Sequence, residues 1–207
     1  MAAYEEERHT FIVQSNLIDP EFDENRVLIP GAKPGDPMYD RHLNAYEAAY
    51  DLLSSTVIPR TFALTVHREL TRGLELYERN EFSGAYRKHG VEVGGWSPPD
   101  GFMVPLLVEG RLHAKIIDYM ANPRGHCKTK RRAWEIHNAY ETIHPFADGN
   151  GRSGRCVMNG FMRANNRPIL IVYNESKRDY IAHINRYREL HWANFKVGPQ
   201  DINSLPV

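Results

Sequence analysis

Apolar residues recur every three or four positions over most of the chain, which is the spacing of one face of an α-helix. The series that predict helices are Phe11, Ile12, Leu17 and Ile18; Leu43, Tyr46, Tyr50 and Leu53; Val66, Leu70, Leu74 and Tyr77; Leu106, Leu107, Leu112, Ile116, Ile117 and Met120; Ala133, Ile136, Tyr140 and Ile143; Val157, Phe161 and Met162; and Tyr180, Ile181, Ile184 and Tyr187. Asp40 is a predicted N-cap of the second helix. The pattern therefore predicts an all-α domain of about seven helices.

Two segments interrupt this pattern. Residues 21–40 are predicted to form a loop, because the stretch from Asp19 to Pro37 holds four prolines and two glycines. The segment from Val91 to Trp96 alternates in polarity around a Gly-Gly pair, which predicts a small β-hairpin with an exposed edge. The predicted organisation is an N-terminal helix in residues 1–20, this loop, a main domain in 41–192 and a C-terminal tail in 193–207.

The amino-acid composition argues against nucleic acid and membranes as partners. The chain has 207 residues, and its 26 basic side chains equal its 26 acidic ones, so no overall charge attracts nucleic acid or an anionic membrane. The first residues lack the apolar run of a signal peptide, and no apolar stretch reaches the ~20 residues of a membrane helix. We predict a cytoplasmic protein, whose two cysteines do not suggest a disulfide framework or a structural zinc site.

The residues with the clearest chemistry are the twelve from His144 to Arg155. Glycines that open a helix let backbone amides and the helix dipole bind a phosphate. Two arginines three residues apart share one helix face and can bind phosphates through forked hydrogen bonds. Asp148 offers the oxygen ligand that Mg²⁺ prefers, and His144 can accept a proton near neutral pH. The stretch therefore predicts a metal-assisted nucleotide-phosphate site with its own base.

Other phosphate motifs fit this stretch less well. Gly149, Gly151 and Gly154 have the spacing of a dinucleotide-binding fingerprint, but that motif requires a preceding strand, and here a helix precedes it. The Lys-Ser or Lys-Thr pair of common nucleotide-hydrolase loops is missing after the glycines.

The stretch resembles the signature of the Fic family, His-Pro-Phe-x-Asp/Glu-Gly-Asn-Gly/Lys-Arg-x-x-Arg, at every fixed position. Weaker similarity runs from about Val66 to Tyr187. The resemblance implies a Fic-type helical domain with a hairpin flap. It also implies transfer of AMP from ATP to a Ser, Thr or Tyr hydroxyl of a target protein, with Mg²⁺ or Mn²⁺ and release of pyrophosphate.

The resemblance also implies a role for each motif residue. His144 would deprotonate the target hydroxyl, and Asp148 would hold the metal ion. The residues implied to bind the nucleotide are Gly149, Asn150, Gly151, Arg152, Gly154 and Arg155, with Arg152 at the α- and β-phosphates and Arg155 at the γ-phosphate. The flap residues Val91, Glu92 and Val93 would pair with an extended segment of the target.

Several reactions remain open within this resemblance. Relatives that phosphorylate their targets carry Lys at the position of Gly151, so glycine favours AMP transfer. A phosphotransferase, a de-AMPylase and a nucleotide-binding interaction module without turnover are the alternatives.

A second resemblance concerns regulation. Many relatives carry an inhibitory helix with Ser/Thr-x-x-x-Glu-Gly/Asn, whose glutamate pairs with the second arginine of the signature. The nearest match here is Ser15 to Asp19, followed by Pro20. Asp19 is one methylene shorter than glutamate, so two interpretations stand: Ser15 and Asp19 restrain the site through Arg155, or they end a surface helix. A separate inhibitory partner is a further expectation.

Overall fold

The computed structural model describes residues 2–23 and 25–195, and this part of the chain confirms the predicted all-α fold. Its eight α-helices are α1 (Ala2–Ile18), α2 (Pro37–Ser54), α3 (Phe62–Thr71), α4 (Glu75–Arg79), α5 (His113–Ala121), α6 (His126–Ile143), α7 (Asn150–Ala164) and α8 (Lys177–His191). A π-helical segment, Leu106–Leu112, leads directly into α5, and 3₁₀ turns lie at Gly101–Met103, Asn174–Ser176 and Trp192–Phe195. None of the described helices is both long and apolar enough to cross a membrane.

Helix α7 is the centre of the core. It packs against α2, α3 and α6, and its side chains are buried on nearly all sides from Asn150 to Met162. Gly160 allows α2 to approach closely, because a Cβ at this position would lie 2.8 Å from the backbone carbon of Ala49. The first turn of this buried helix carries the glycines and arginines of the signature, so the core itself holds them in place.

Helix α1 is an integral part of this core. Phe11, Ile12 and Ile18 are almost fully buried, and burial of such side chains stabilises the docked helix by roughly 1.5–3 kcal/mol each. The Lys177 Nζ donates to the carbonyl of Ile18 at 2.6 Å, which places a positive charge at the C-terminus of the helix. The end of α1 is therefore fixed beside the start of α8.

Two predicted helix boundaries were wrong. The apolar series from Val66 to Tyr77 forms two helices, because the chain turns at Gly73 with a positive φ of 73° and restarts at Glu75. Asp40 is not an N-cap, since α2 begins at Pro37, a favourable residue for the first helical position. The predicted loop of residues 21–40 therefore ends before Pro37.

The predicted hairpin is smaller than expected. Val93 and Trp96 form one isolated antiparallel bridge, with N···O distances of 2.8 and 3.0 Å across the two glycines. Val91 and Glu92 do not form a strand. Trp96 packs edge to face on Trp192 with ring centroids 4.6 Å apart. In the predicted tail of residues 193–207, only 193–195 are described, and they belong to the last 3₁₀ turn; residues 196–207 lie outside the described part of the chain.

Candidate active site

His144 ends α6 in a left-handed conformation, with φ 50° and ψ 64°. Pro145 accounts for this ending, because its ring disfavours helical geometry in the preceding residue. The predicted stop at His144 is therefore confirmed. The turn directs the chain from α6 into the loop that precedes α7.

Arg87 fastens this helix end. Its Nε donates to the carbonyl of His144 at 2.7 Å, and its Nη2 donates to the carbonyl of Ile143 at 3.2 Å. The backbone amide of Arg87 also donates to the carbonyl of Pro145, at 3.0 Å. The last carbonyls of a helix have no partner within it, so Arg87 satisfies them and fixes the backbone of the predicted base.

The imidazole of His144 is in the form that accepts a proton. Burial, together with the nearby charges of Arg188 and Arg87, lowers the pKa of His144 to about 4. Each of these effects disfavours the charged form. At neutral pH the ring is therefore unprotonated, as a general base requires.

His67 on α3 holds the loop after His144. Its Nε2 lies 3.0 Å from the carbonyl oxygen of Asp148, and its Nδ1 accepts from the amide of Gly84 at 3.1 Å. The ring stacks on Phe146 with centroids 3.8 Å apart and planes 5° apart. This histidine was not predicted as a site residue, because its only signal in the sequence was its place beside Val66 in the apolar series of α3.

The loop ends in a helix start that can bind an anion. Gly149 occupies the N-cap of α7 with φ 75°, a conformation that glycine adopts without strain. The first amides of a helix have no acceptor within it. The amides of Asn150, Gly151 and Arg152 therefore offer donors at the positive end of the α7 dipole.

Two signature residues that are predicted to bind the nucleotide also have structural contacts. The side chain of Asn150 accepts from the amide of Phe146 and donates to its carbonyl, both at 2.9 Å. Gly154 lies against α6, where a Cβ would come within 3.0 Å of His137 and Tyr140. The side chain of Asn150 thus shapes the loop, and Gly154 permits helix packing away from the predicted phosphate position.

Asp148 presents an ionised carboxylate at the loop. Tyr77 Oη donates to its Oδ2 at 2.5 Å, and the amide of Gly149 donates to its Oδ1 at 2.6 Å. Partial desolvation opposes ionisation, but the charge of Arg152 and these two hydrogen bonds lower the pKa of Asp148 below its usual range. An exposed, ionised carboxylate is the ligand that Mg²⁺ prefers. Tyr77 was not identified as a site residue from the sequence.

The two signature arginines are buried and paired with carboxylates from the N-terminal part of the chain. Arg155 Nη2 lies 2.7 Å from Asp19 Oδ2, and its Nε donates to Ser15 Oγ at 2.7 Å. Arg152 Nη1 lies 2.8 Å from Glu21 Oε1. Ser15 and Asp19 therefore do reach Arg155, whereas the contact of Glu21 was not anticipated.

The shorter side chain of Asp19 reaches Arg155 because it lies against Gly151. A Cβ at Gly151 would be 2.1 Å from Asp19 Oδ2, so a larger residue there would exclude the carboxylate. Burial opposes ionisation of Asp19, but Arg155 holds its pKa below the usual range. The ion pair thus depends on a glycine of the signature.

These groups surround one cavity of about 480 Å³. The loop and α7 supply one wall with His144, Asp148 and residues 149–152, and α8 supplies the other with residues that include Tyr180, Ile184 and Arg188. Asp19 and Val93 also line it, whereas Val91, Glu92, Gly154 and Arg155 do not. The structure therefore brings the predicted base, metal ligand and glycine turn together, with Arg155 paired to Asp19.

Glu141 is a further group on this cavity that sequence analysis missed. It lies one helical turn before His144, and burial and the charge of Asp19 raise the pKa of its carboxyl to about 7. Arg188 Nη2 donates to the Glu141 carbonyl at 2.9 Å. Its signal in the sequence was weak, because a glutamate in a helix is usually solvated.

Comparison with known proteins identifies the family. The model of the Fic/DOC family matches residues 57–162, just over half of the chain. This chain belongs to the Fic/DOC family. The matched segment contains α3 to α6 and most of α7, including the complete signature from His144 to Arg155.

Similar proteins extend this result. A probable protein adenylyltransferase of Aquifex aeolicus is 27% identical over 86% of this chain. A Fic family protein from Desulfovibrio desulfuricans is 26% identical with a TM-score of 0.59, over 91% of this chain and 59% of that one. A Fic domain containing signaling protein from Bacteroides thetaiotaomicron has 17% identity and a TM-score of 0.67, over 89% and 73% of the two chains, and supports the fold. The Fic chain spans 51% of the Aquifex relative and 26% of a Culex quinquefasciatus protein adenylyltransferase Fic.

Proposed function

We propose that this Fic protein is a protein adenylyltransferase that transfers AMP from ATP to a Ser, Thr or Tyr hydroxyl of a target protein. One observation carries the proposal: an unprotonated histidine, a glycine-lined helix start and an ionised carboxylate line the same cavity. A general base beside a phosphate site is the combination that activates an alcohol for attack on a phosphate ester.

In the proposed reaction, one bond to the α-phosphorus forms and another breaks, and residues of the site assist both changes. His144 takes the proton of the target hydroxyl as its oxygen attacks the α-phosphorus of ATP. The bond between the α-phosphorus and the bridging oxygen breaks, and pyrophosphate leaves. The amides at the start of α7 and the guanidinium of Arg152 stabilise the charge on the phosphates, since phosphate transfer depends mainly on positioning and charge neutralisation.

The residues present fit Mg²⁺ shared with a nucleotide. Within the described residues, no group of three His, Cys, Asp or Glu side chains could hold a metal ion, so Asp148 would act as a single carboxylate ligand. Mg²⁺ is commonly held by one or two carboxylates together with water and phosphate oxygens. When bound, the ion would neutralise charge on the phosphates.

The relatives support AMP transfer over phosphorylation. The Aquifex and Culex proteins are named protein adenylyltransferases, and Gly151 stands where phosphorylating relatives are expected to carry lysine. The chain spans about half of the Aquifex relative and about a quarter of the Culex relative.

We also propose that α1 restrains this activity. Asp19 lines the cavity and pairs with Arg155, the arginine expected to bind the γ-phosphate. An anionic nucleotide and the Asp19 carboxylate would compete for one guanidinium, so ATP binds productively only when Asp19 leaves.

The flap proposal is narrower than the sequence suggested. Both backbone groups of Val93 pair with Trp96, so backbone pairing with a target segment would fall to Val91 and Glu92. Val93 lies on the cavity itself, which keeps the flap next to the proposed base.

Labelled ATP tests the proposed function. The Asp19→Gly protein, added with Mg²⁺ to a cell lysate, is expected to transfer label from the α-phosphate of ATP to protein above the level of the lysate alone, and to add no label from the γ-phosphate. Transfer of the γ-label alone would establish a kinase. Saturable nucleotide binding without any labelled protein would establish an interaction module.

A further inference from the structure

Glu21 is a buried carboxylate that no signature includes. Its side chain is 5% exposed and bonds to two arginines, with Oε1 accepting from Arg152 at 2.8 Å and Oε2 accepting from Arg41 at 2.5 Å. Burial of a carboxylate is costly unless its oxygens are paired. Both oxygens of Glu21 are paired, which offsets this cost. The two arginines come from α2 and α7, and Glu21 links them.

The backbone around Glu21 is held by its own small turn. The amide of Ile29 donates to the carbonyl of Glu21 at 2.9 Å, and Phe22 forms a bridge with Leu28. The carboxylate of Asp23 accepts from the amides of Asn25 and Val27 at 2.9 and 2.8 Å. Glu21 therefore belongs to a closed turn whose hydrogen bonds do not depend on α1.

Glu21 contacts Arg152 without lining the candidate active-site cavity. Arg152 lines the cavity that holds His144 and Asp148, and Glu21 does not. Glu21 lines a separate cavity of about 220 Å³, beside Tyr77. Asp19 differs in this respect, because it lies in the active-site cavity itself.

The pairing leaves part of the Arg152 guanidinium available. Nη1 is bound by Glu21, whereas Nη2 lies 3.9 Å from Asp148 and Nε is buried without a hydrogen-bond partner among the described residues. A buried donor without a partner is energetically unfavourable. This cost is recovered when an acceptor binds beside it, and a phosphate oxygen is such an acceptor.

We propose that Glu21 is a positioning residue that fixes the guanidinium of Arg152. The donors of Arg152 that Glu21 does not bind then meet the phosphates of the nucleotide. This inference rests on the proposed function. It follows that the two acidic residues on either side of Pro20 have opposite effects on the rate of transfer. Loss of Asp19 raises transfer, whereas loss of Glu21 lowers it, because a guanidinium that is free to rotate must be ordered when the nucleotide binds.

Glu21→Gln in the Asp19→Gly background tests the proposal. We expect kcat for transfer from α-labelled ATP to fall about ten-fold and the Kd for ADP to rise about ten-fold, since misplaced binding groups cost activity on this scale. Calorimetry should still give a stoichiometry of one ADP per chain. A purely structural role would lower the stoichiometry and leave Kd unchanged. Glu7→Gln, at an exposed position on α1, is the matched control and should change neither value.

A second variant, Glu21→Asp, tests the proposal if Glu21→Gln does not fold. Breaking a buried ion pair destabilises strongly, so the urea unfolding midpoint is measured for each protein. If Glu21→Gln is unfolded, Glu21→Asp keeps the charge but shortens its reach, and it should show a smaller rise in the Kd for ADP. Higher transfer in either variant would make Glu21 a second inhibitory group and overturn the proposal, as would an unchanged Kd. If the Asp19→Gly parent binds ADP but transfers nothing, the proposed function fails, and the Kd for ADP still tests Glu21.

Discussion

Replacement of His144 by alanine is expected to lower the rate of AMP transfer by about 10²–10⁴-fold, the usual contribution of a positioned general base. The imidazole is unprotonated at neutral pH, and no other histidine lines the active-site cavity among the described residues. The rate of label transfer from α-labelled ATP, measured in the Asp19→Gly background, checks this expectation.

The control for this variant must account for backbone geometry. His144 has a positive φ of 50°, which alanine adopts with strain and asparagine tolerates. His144→Asn should therefore keep the fold and lose transfer to a similar extent, while both variants still bind ATP. His126→Ala, at the exposed start of α6, should keep full activity. Undiminished transfer in His144→Asn would refute the assigned base.

Asp19→Gly is expected to raise ATP-dependent transfer about ten-fold, which corresponds to about 1.4 kcal/mol. The variant removes the carboxylate that is proposed to compete with the nucleotide for Arg155. Asp19 is 39% exposed, so water screens the ion pair and keeps the gain near this modest value. Arg155 retains Ser15 Oγ and the hydroxyl of Tyr180 as partners, at 2.7 and 3.0 Å, so the domain should stay folded.

Initial rates of transfer at several ATP concentrations measure the effect of removing the Asp19 carboxylate. Asp19→Asn keeps the shape of the side chain and removes its charge, so it should give an intermediate gain. Equal rates for the original protein and both variants, with folding verified by the unfolding midpoint, would dismiss α1 as a restraint.

The sequence predicts the part of the site that is contiguous in the chain. From His144 to Arg155, the base, the carboxylate and the glycines follow one another, and Pro145 sets the helix end by local sterics. The same local argument identifies Gly149, whose positive φ begins α7. These features required no knowledge of which helices pack together.

The supporting residues could not be predicted, because they act across the fold. Arg87 binds the carbonyl of His144 over 57 residues, and Glu21 reaches Arg152 over 131 residues. A charged residue in a loop or an isolated histidine in a helix usually has a local role, so Glu21 and His67 gave no distinctive pattern, and Arg87 stood out only as part of the weaker similarity to the family, without an assigned role. The face of α7 that packs on α6 was also hidden, and Gly154, which the signature assigned to the nucleotide, lies on that face.

The spacing of Ser15 and Asp19 predicts only part of their contact with Arg155. Ser15 and Asp19 are one helical turn apart, which predicts that they share a face. Their contact with Arg155, 136 residues away from Asp19, depends on how α1 docks and on the space left by Gly151. The packing of Phe11, Ile12 and Ile18 and the bond from Lys177 to the carbonyl of Ile18 contribute to that docking.

We propose that the helix start at α7 binds the phosphates of ATP beside His144, and a calorimetric titration measures this binding. With Mg²⁺ present, the Asp19→Gly protein should bind ATP at one site per chain. An added Arg152→Met should weaken binding about ten-fold or more, and an added Arg131→Met, at a side chain that is 71% exposed on α6, should leave it unchanged. Absence of saturable binding, or equal affinity in the Arg152→Met protein, would contradict the claim.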